Sequence, residues 1–280
     1  MTDVPAYIQS LLEAEPLRAP LLHSVIQSLQ LPKGSYGLDA GCGIGLQAVL
    51  LAEAVGADGL IVGLDILPEL LAFGQDVVKR AGTSDRIVFG SGDVGTLPYA
   101  EDCFDFAWSA DCIGYPAGDL LPPLEELIRV VRPGGSIILL GWTTQQLLPG
   151  YPLLEARLNA AFSAYIPHLQ GKGPDQNFLR AIHWLERVGL EDVQARTFVS
   201  DIQSPFSSGE RSALIALFEM LWGRPGLAGA PSDEALLEDW ETYVRLCDPG
   251  SEQFILDIPG YYAFFTYTLF RGTAPLKGKR

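Results

Sequence analysis

The sequence predicts a doubly wound α/β fold, a seven-stranded and mainly parallel sheet with an α-helical cap inserted late in the chain. Three observations carry this expectation. A strand end runs into a glycine turn and a helix at Leu38-Asp39-Ala40-Gly41-Cys42-Gly43-Ile44-Gly45, strand-like apolar runs alternate with helical periods over residues 36–141, and two late strand-like runs flank two helical patterns. Alternation of this kind builds a parallel sheet, and right-handed crossovers set its winding.

Two N-terminal helices are expected first, Pro5 to Glu13 and Leu17 to Leu31, because apolar residues recur at helical spacing and Pro16 suits a first helical turn. Tyr36 to Ala40 reads as the first strand and Leu46 to Val55 as the helix after the glycine turn. Leu60 to Asp65 is almost wholly apolar, as a parallel strand covered on both faces must be. A helix opened by Pro68 follows and stops near Ala81-Gly82; Arg86 to Phe89 and Phe104 to Ser109 are the third and fourth strands. Leu120 to Val131 reads as a helix, Arg132-Pro133-Gly134-Gly135 as a turn, and Ser136 to Gly141 as the fifth strand.

Beyond Trp142 the pattern changes. Tyr151 to Tyr165 and Asp175 to Val188 read as helices, Leu190 to Val199 as a sixth strand and Tyr261 to Arg271 as a seventh. Helical patterns at Gly209 to Trp222 and Ser232 to Cys247 lie between those strands, since a structureless loop of that length is uncommon. The expected organisation is N-terminal helices over 1–34, a cofactor-binding core over 35–141, a first cap insertion over 142–175, strands completing the sheet over 176–204 and 259–272, and a helical cap over 205–258.

Composition bounds the function. Lys plus Arg number 19 against 34 Asp plus Glu, a formal charge of -15 that repels phosphate backbones and anionic lipid surfaces. Neither a nucleic acid partner nor stable membrane association is expected, and oligomeric state is left open. Cys42, Cys103, Cys112 and Cys247 show no metal-ligand or disulfide-framework spacing, and the first residues lack a basic region followed by an apolar core. A cytoplasmic protein without a metal centre is therefore expected.

The glycine loop binds a nucleotide-type cofactor, and spacing separates the classes. A dinucleotide loop would want a glycine at position 46, where Leu46 stands, and the third glycine falls instead at 45. An acidic residue followed by Ala-Gly-Cys-Gly-Ile-Gly resembles motif I of the class I S-adenosylmethionine-dependent methyltransferases, which have a Rossmann-like fold. The resemblance runs from about Tyr36 to Gly141 and is closest to the small-molecule branch with the ubiquinone and menaquinone biosynthesis enzymes (methyltransferase type 11). It extends to Asp65 at the end of the second strand, to Gly92-Asp93-Val94 with Leu97-Pro98-Tyr99 and Phe104-Asp105 after it, and to Arg132-Pro133-Gly134-Gly135.

The resemblance implies S-adenosyl-L-methionine as cofactor and a set of cofactor-binding residues: Asp39, Gly41, Cys42, Gly43, Gly45, Asp65, Ile66, Asp93, Val94 and Ser109. In it, Asp65 takes the ribose diol, Asp93 the adenine amino group, Ile66 the adenine face, and Asp39 lies near the methionine amino group; Cys42 contributes backbone. The carboxylates suit a cofactor bearing a sulfonium and an ammonium, and a dinucleotide pyrophosphate would be repelled. Asp111, Cys112, Tyr115 and Trp142, after the fourth and fifth strands, are expected at the acceptor. A cysteine at the place of Cys112 is similar to one in the arsenite methyltransferases, a reading that wants further thiols where only distant Cys247 is available.

The expected function is metal-independent, in-line transfer of a methyl group to a small-molecule acceptor. No catalytic residue is identified, His168 being the best placed of His23, His168 and His183 for a general base because it falls in the expected cap. Two alternatives stay open: a non-catalytic S-adenosylmethionine-binding protein whose cap serves a partner, and then an NAD-dependent oxidoreductase.

Overall fold

The structure is a computed structural model that describes residues 3–114, 120–165, 173–223 and 234–276. Tyr115, His168 and most of the Gly223 to Pro231 loop lie outside them. Seven strands form one sheet in the order β3-β2-β1-β4-β5-β7-β6. They are β1 (Tyr36–Ala40), β2 (Leu60–Asp65), β3 (Ile87–Ser91), β4 (Phe104–Ala110), β5 (Val131–Gln146), β6 (Glu191–Gln203) and β7 (Tyr262–Thr273). The first five pair in parallel, and β7 runs antiparallel between β5 and β6. Strand order therefore reverses between β1 and β4, and a crevice at their carboxyl ends is where ligands of open α/β sheets bind.

Both sheet faces are covered. Ile61 and Phe106 pack into one core with Leu21, Val25 and Ile26, while Leu38, Ala40, Val62 and Leu64 pack into the other with Leu124 and Leu127. Such alternation follows from the two-residue period of a strand. Gly37 of β1 is matched to Phe106 of β4, whose ring occupies the space a Cβ would need. A bare backbone there lets the two central strands pair around a large side chain.

The helices of the parallel half are α2 (Leu46–Val55), α3 (Pro68–Arg80) and α4 (Leu121–Val130). Ahead of them stands one continuous helix, α1 (Val4–Ser28), with Pro16 and Pro20 inside it, where the sequence predicts two helices. An internal proline costs a helix about 3 kcal/mol. Leu17, Leu21, Leu22, Val25 and Ile26 are all buried on α1, and burial returns about 1.5–3 kcal/mol for each such side chain. Packing therefore outweighs the two lost backbone bonds.

β5 is also longer than expected, because the 132–135 turn is its irregular start and Thr144, Gln145 and Gln146 pair with Thr266, Phe265 and Phe264. The helix expected from Asp175 to Val188 is instead two 3-10 turns, Pro174–Gln176 and Phe178–Arg180, followed by α6 (Ala181–Arg187). Extended backbone at Asn177 separates the turns, and its side chain accepts from the Leu179 amide.

The cap is built from α5 (Pro152–Tyr165), α7 (Ser208–Trp222) and α8 (Glu234–Cys247). Its anchor is Glu155, fully buried, whose carboxylate accepts from the Leu147 and Leu148 amides at 2.8–3.0 Å just beyond β5. Arg157 of α5 clasps Asp239 of α8 through two bonds of 2.6 Å. A polar chain joins sheet to cap: the Trp142 indole donates to Gln145, Gln145 donates to Asn159, and the Trp222 indole donates to the same Asn159 oxygen. α1 packs along α7, so the N-terminal helix and the cap meet above the β1/β4 crevice.

Candidate functional site

Two cavities open at the crevice. One, of about 360 Å³, is lined by Gly41, Cys42, Gly43, Asp65, Asp111 and Cys112 on the sheet side and by Tyr7, Leu11, Glu15, Arg18 and Leu22 of α1. The other, of about 720 Å³, lies between α1 and α7 over Trp142, Asp111 and Tyr267. They share Tyr7, Leu11, Arg18 and Asp111. The second wall is mostly apolar, with Leu11, Leu17, Leu217, Met220 and Leu221.

The glycine turn shapes the first cavity. Gly41 and Gly43 take φ of 82° and 55°, and Gly45, at 76°, is the residue from which α2 starts. A Cβ on Gly41 would run into the Cys112 thiol, whereas at Gly43 the nearest atom to a Cβ would be Leu11 Cδ1 at 3.7 Å. A side chain at 43 would therefore protrude from the cavity wall. Asp65 fixes the turn, accepting from the Gly43 amide at 2.9 Å through one carboxylate oxygen and from the Leu67 amide at 3.0 Å through the other. Each oxygen retains a further lone-pair site for a ligand hydroxyl.

Asp39 lies beneath the turn, 2 % exposed, and its Oδ2 has no hydrogen-bond partner. Burial, with a smaller contribution from neighbouring Asp65, pushes its pKa up to about 8. The folded protein thus binds this proton more tightly than the unfolded chain, whose Asp titrates near about 4, so stability falls as pH rises through that interval. Asp39→Asn is expected to gain stability relative to the unsubstituted protein steadily between about pH 5 and about pH 8. Chemical denaturation across that range checks it, and a pH-independent difference would contradict it.

Asp111 holds the junction of the cavities. Its Oδ2 accepts from Arg18 at 2.6 Å and from the Tyr267 hydroxyl at 2.9 Å, and its Oδ1 from the Trp142 amide at 3.0 Å. One carboxylate so ties α1, β5 and β7 to the end of β4. Its backbone sits at φ 49°, a conformation that non-glycine residues visit when their surroundings impose it. Trp142 stacks on Phe265 at 4.6 Å between ring centres and meets Tyr267 edge-on at 5.7 Å, making an aromatic wall.

Of the residues expected from sequence, Gly41, Cys42, Gly43, Asp65, Asp111 and Cys112 line the first cavity, and Trp142 with Asp111 lines the second. Asp39 and Gly45 lie behind the loop. Ser109 is buried, donating to the Ala40 carbonyl and accepting from the Ile113 amide, and so braces β4 against β1. Ile66, 63 % exposed, and Asp93 lie in the open just past β2 and β3, and Asp93 accepts from the Gly95 amide within its own turn. Half-buried Val94 packs against the core beside Tyr99. Cys42 and Cys112 are thiols held protonated by burial, with Cys112 at about 11, and Cys247 is buried at the end of α8 and lines neither cavity.

Sequence reasoning missed Arg18, Tyr7 and Tyr267. The signal for Arg18 was present, a lone cation inside the apolar run Leu17 to Leu22. Burial disfavours its charge, but the Tyr267 and Asp111 oxygens outweigh that and hold its pKa above the usual arginine value. Burial and the charge of Asp65 raise the Tyr7 phenol.

Residues 38–135 match the family model described as a methyltransferase domain. A demethylmenaquinone methyltransferase of Staphylococcus epidermidis is 33% identical over 199 residues, 64% of this chain and 77% of that protein. One from Bacillus velezensis is 37% identical over 118 residues, which span 41% of this chain and only 48% of the relative. Among solved structures, a SAM-dependent methyltransferase from Aquifex aeolicus superposes with a TM-score of 0.52 at 21% identity, over 70% of this chain and 92% of that one, a likeness of fold.

Proposed function

The chain belongs to the class I S-adenosylmethionine-dependent methyltransferases, and from that premise we propose that it methylates a small, largely apolar molecule held between α1 and α7. The observation that carries this reading is the pair of cavities joined at Asp111 and Arg18, one walled by the glycine turn and one by apolar side chains.

The residues present fit the cofactor. The bare wall at Gly43 and the carboxylates Asp65 and Asp111 suit a ligand with hydroxyls and cationic groups. Asp65 would take the ribose hydroxyls, Gly41 and Gly43 would lie along the chain of the ligand, and exposed Ile66 and Asp93 would meet the base. When bound, the cofactor supplies a methyl group activated by its sulfonium.

What the chain itself contributes is position. Holding two reacting atoms in line at about 3–3.5 Å supplies about 7–11 kcal/mol of a displacement barrier. Trp142 and Tyr267 present an aromatic wall for the acceptor, fixed by stacking on Phe265 and by the bond to Asp111. α1 lines both cavities. For an acceptor that loses a proton, the Tyr267 hydroxyl on Asp111 is the polar pair at that wall. Among the described residues no group of three or more His, Cys, Asp or Glu is arranged to hold a metal.

The acceptor class is tested with methyl-labelled S-adenosylmethionine and a panel of small aromatic and alicyclic amines, phenols and enols. Label is expected in a small-molecule product. Label found only on protein or nucleic acid would overturn the acceptor assignment. The names of the demethylmenaquinone methyltransferase relatives favour the phenols of that panel, as the reduced form of a quinone-type acceptor.

A further inference from the structure

We infer that the acceptor is an amine, taken up as its ammonium ion, so that the atom methylated is nitrogen. This rests on the reading of the α1–α7 cavity as the acceptor site and narrows it.

Charge separates the acceptor classes. Among the described residues the two joined cavities are lined by one cationic side chain, Arg18, against the carboxylates Glu13, Glu15, Asp65, Asp111 and Glu219. The charge of Arg18 is taken up within the protein: its Nη2 donates to Asp111 at 2.6 Å and its guanidinium lies 5.6 Å from the centre of the Tyr267 ring. Glu13 of α1 and Glu219 of α7 line the acceptor cavity from its two helices. Both are exposed, and neither has an ion-pair partner among the described residues. A cleft lined by one sign of charge concentrates ligands of the other sign.

Asp111 offers such a cation a specific contact. Its Oδ2 already accepts from Arg18 and the Tyr267 hydroxyl, whereas Oδ1 accepts from the Trp142 amide at 3.0 Å and keeps a further lone-pair site. The side chain is 19 % exposed and lines both cavities, so an ammonium bonded to it stands at their junction. Tyr7, Trp142 and Tyr267 line the same cavity, and aromatic rings attract cations.

The same charges bear on the reaction. A phenol or enol attacks as an anion, which surrounding carboxylates disfavour. An ammonium gives one proton to water; the freed lone pair then forms the N–C bond while the electrons of the C–S bond pass to the donor's sulfur. Positive charge arrives on nitrogen, where the carboxylates stabilise it. The walls of the cavity therefore favour the amines of the panel over its phenols and enols.

Three probes with one ring system and different charge test this by binding alone: tryptamine, a cation at neutral pH, tryptophol, which is neutral, and indole-3-acetate, an anion. Each is titrated calorimetrically into the full chain holding S-adenosylhomocysteine and into the Glu13→Gln/Glu219→Gln double variant. At about 20 mM salt tryptamine is expected to bind about tenfold or more tightly than tryptophol, with indole-3-acetate weakest, and about 300 mM salt should narrow the gap. The double variant should lose about three- to tenfold in tryptamine affinity, with tryptophol changed less than about twofold.

Tryptophol or indole-3-acetate binding as tightly as tryptamine, binding of none of the three, or a preference that the double variant leaves unchanged would each overturn the proposal. A labelled phenol or enol from the methyl-transfer panel would then leave the small-molecule reading standing. Label confined to protein or nucleic acid would overturn that reading itself, and failure of the chain to take up S-adenosylhomocysteine would overturn the assignment of the cofactor cavity.

Discussion

Asp65→Ala is expected to reduce affinity for S-adenosylhomocysteine by about 10- to 150-fold, measured by calorimetry. A charge-assisted hydrogen bond contributes about 1.5–3 kcal/mol, and this carboxylate has two tasks at once. It would accept from the ligand's hydroxyls, and it already accepts from the Gly43 and Leu67 amides. Removing it therefore loses the contact and loosens the turn, which places the effect toward the upper end of that range. Asp65→Asn retains one carbonyl oxygen and should lose less. Unchanged affinity in Asp65→Ala would mean that the ribose lies elsewhere.

Glu155→Ala is the substitution expected to cost the fold most. Its carboxylate takes both the Leu147 and Leu148 amides in a fully buried setting, and alanine leaves those two donors unpaired. Each unsatisfied buried group costs about 1–3 kcal/mol, so a loss of about 3 kcal/mol or more in unfolding free energy is expected. Burial raises the pKa of Glu155 and the two amides offset part of that, so ionising this group inside the protein has a cost that the bonds must cover. In a chain of this size the melting temperature should drop by roughly 6–12 °C. A drop within about a degree would show that the Leu147 and Leu148 amides find other partners.

How much of this was legible in the sequence depends on whether the signal was local. The glycine turn, the strand ends and the carboxylate of Asp65 are written in adjacent residues, so their placement at the β1/β4 switch followed from the order of the elements. The helical cap followed from the distance between two strands that must pair. The continuity of α1 was illegible because Pro16 and Pro20 argue locally for a break, and only packing of the Leu17 to Ile26 stripe overrides them. β5 was read short because Thr143 to Gln146 are polar and pair only with the aromatic β7 that arrives more than a hundred residues later.

The site divides in the same way. Asp111 and Trp142 were found because they follow strands whose ends face the crevice. Arg18 and Tyr267 were not, since nothing near them in sequence says that α1 and β7 converge on Asp111. Asp93 and Ile66 match the family pattern by position, yet they stand outside the walled cavities, on the open shelf past β2 and β3.

The central claim is that the glycine turn, Asp65 and α1 enclose the methyl donor while the α1–α7 cavity receives the acceptor. A crystal structure grown with S-adenosylhomocysteine tests it most directly. Ligand density is expected along Gly41 and Gly43, with the ribose on Asp65 and the sulfur directed toward Asp111 and Trp142. Density for the ligand in the α1–α7 cavity alone, or a ribose removed from Asp65, would contradict the account.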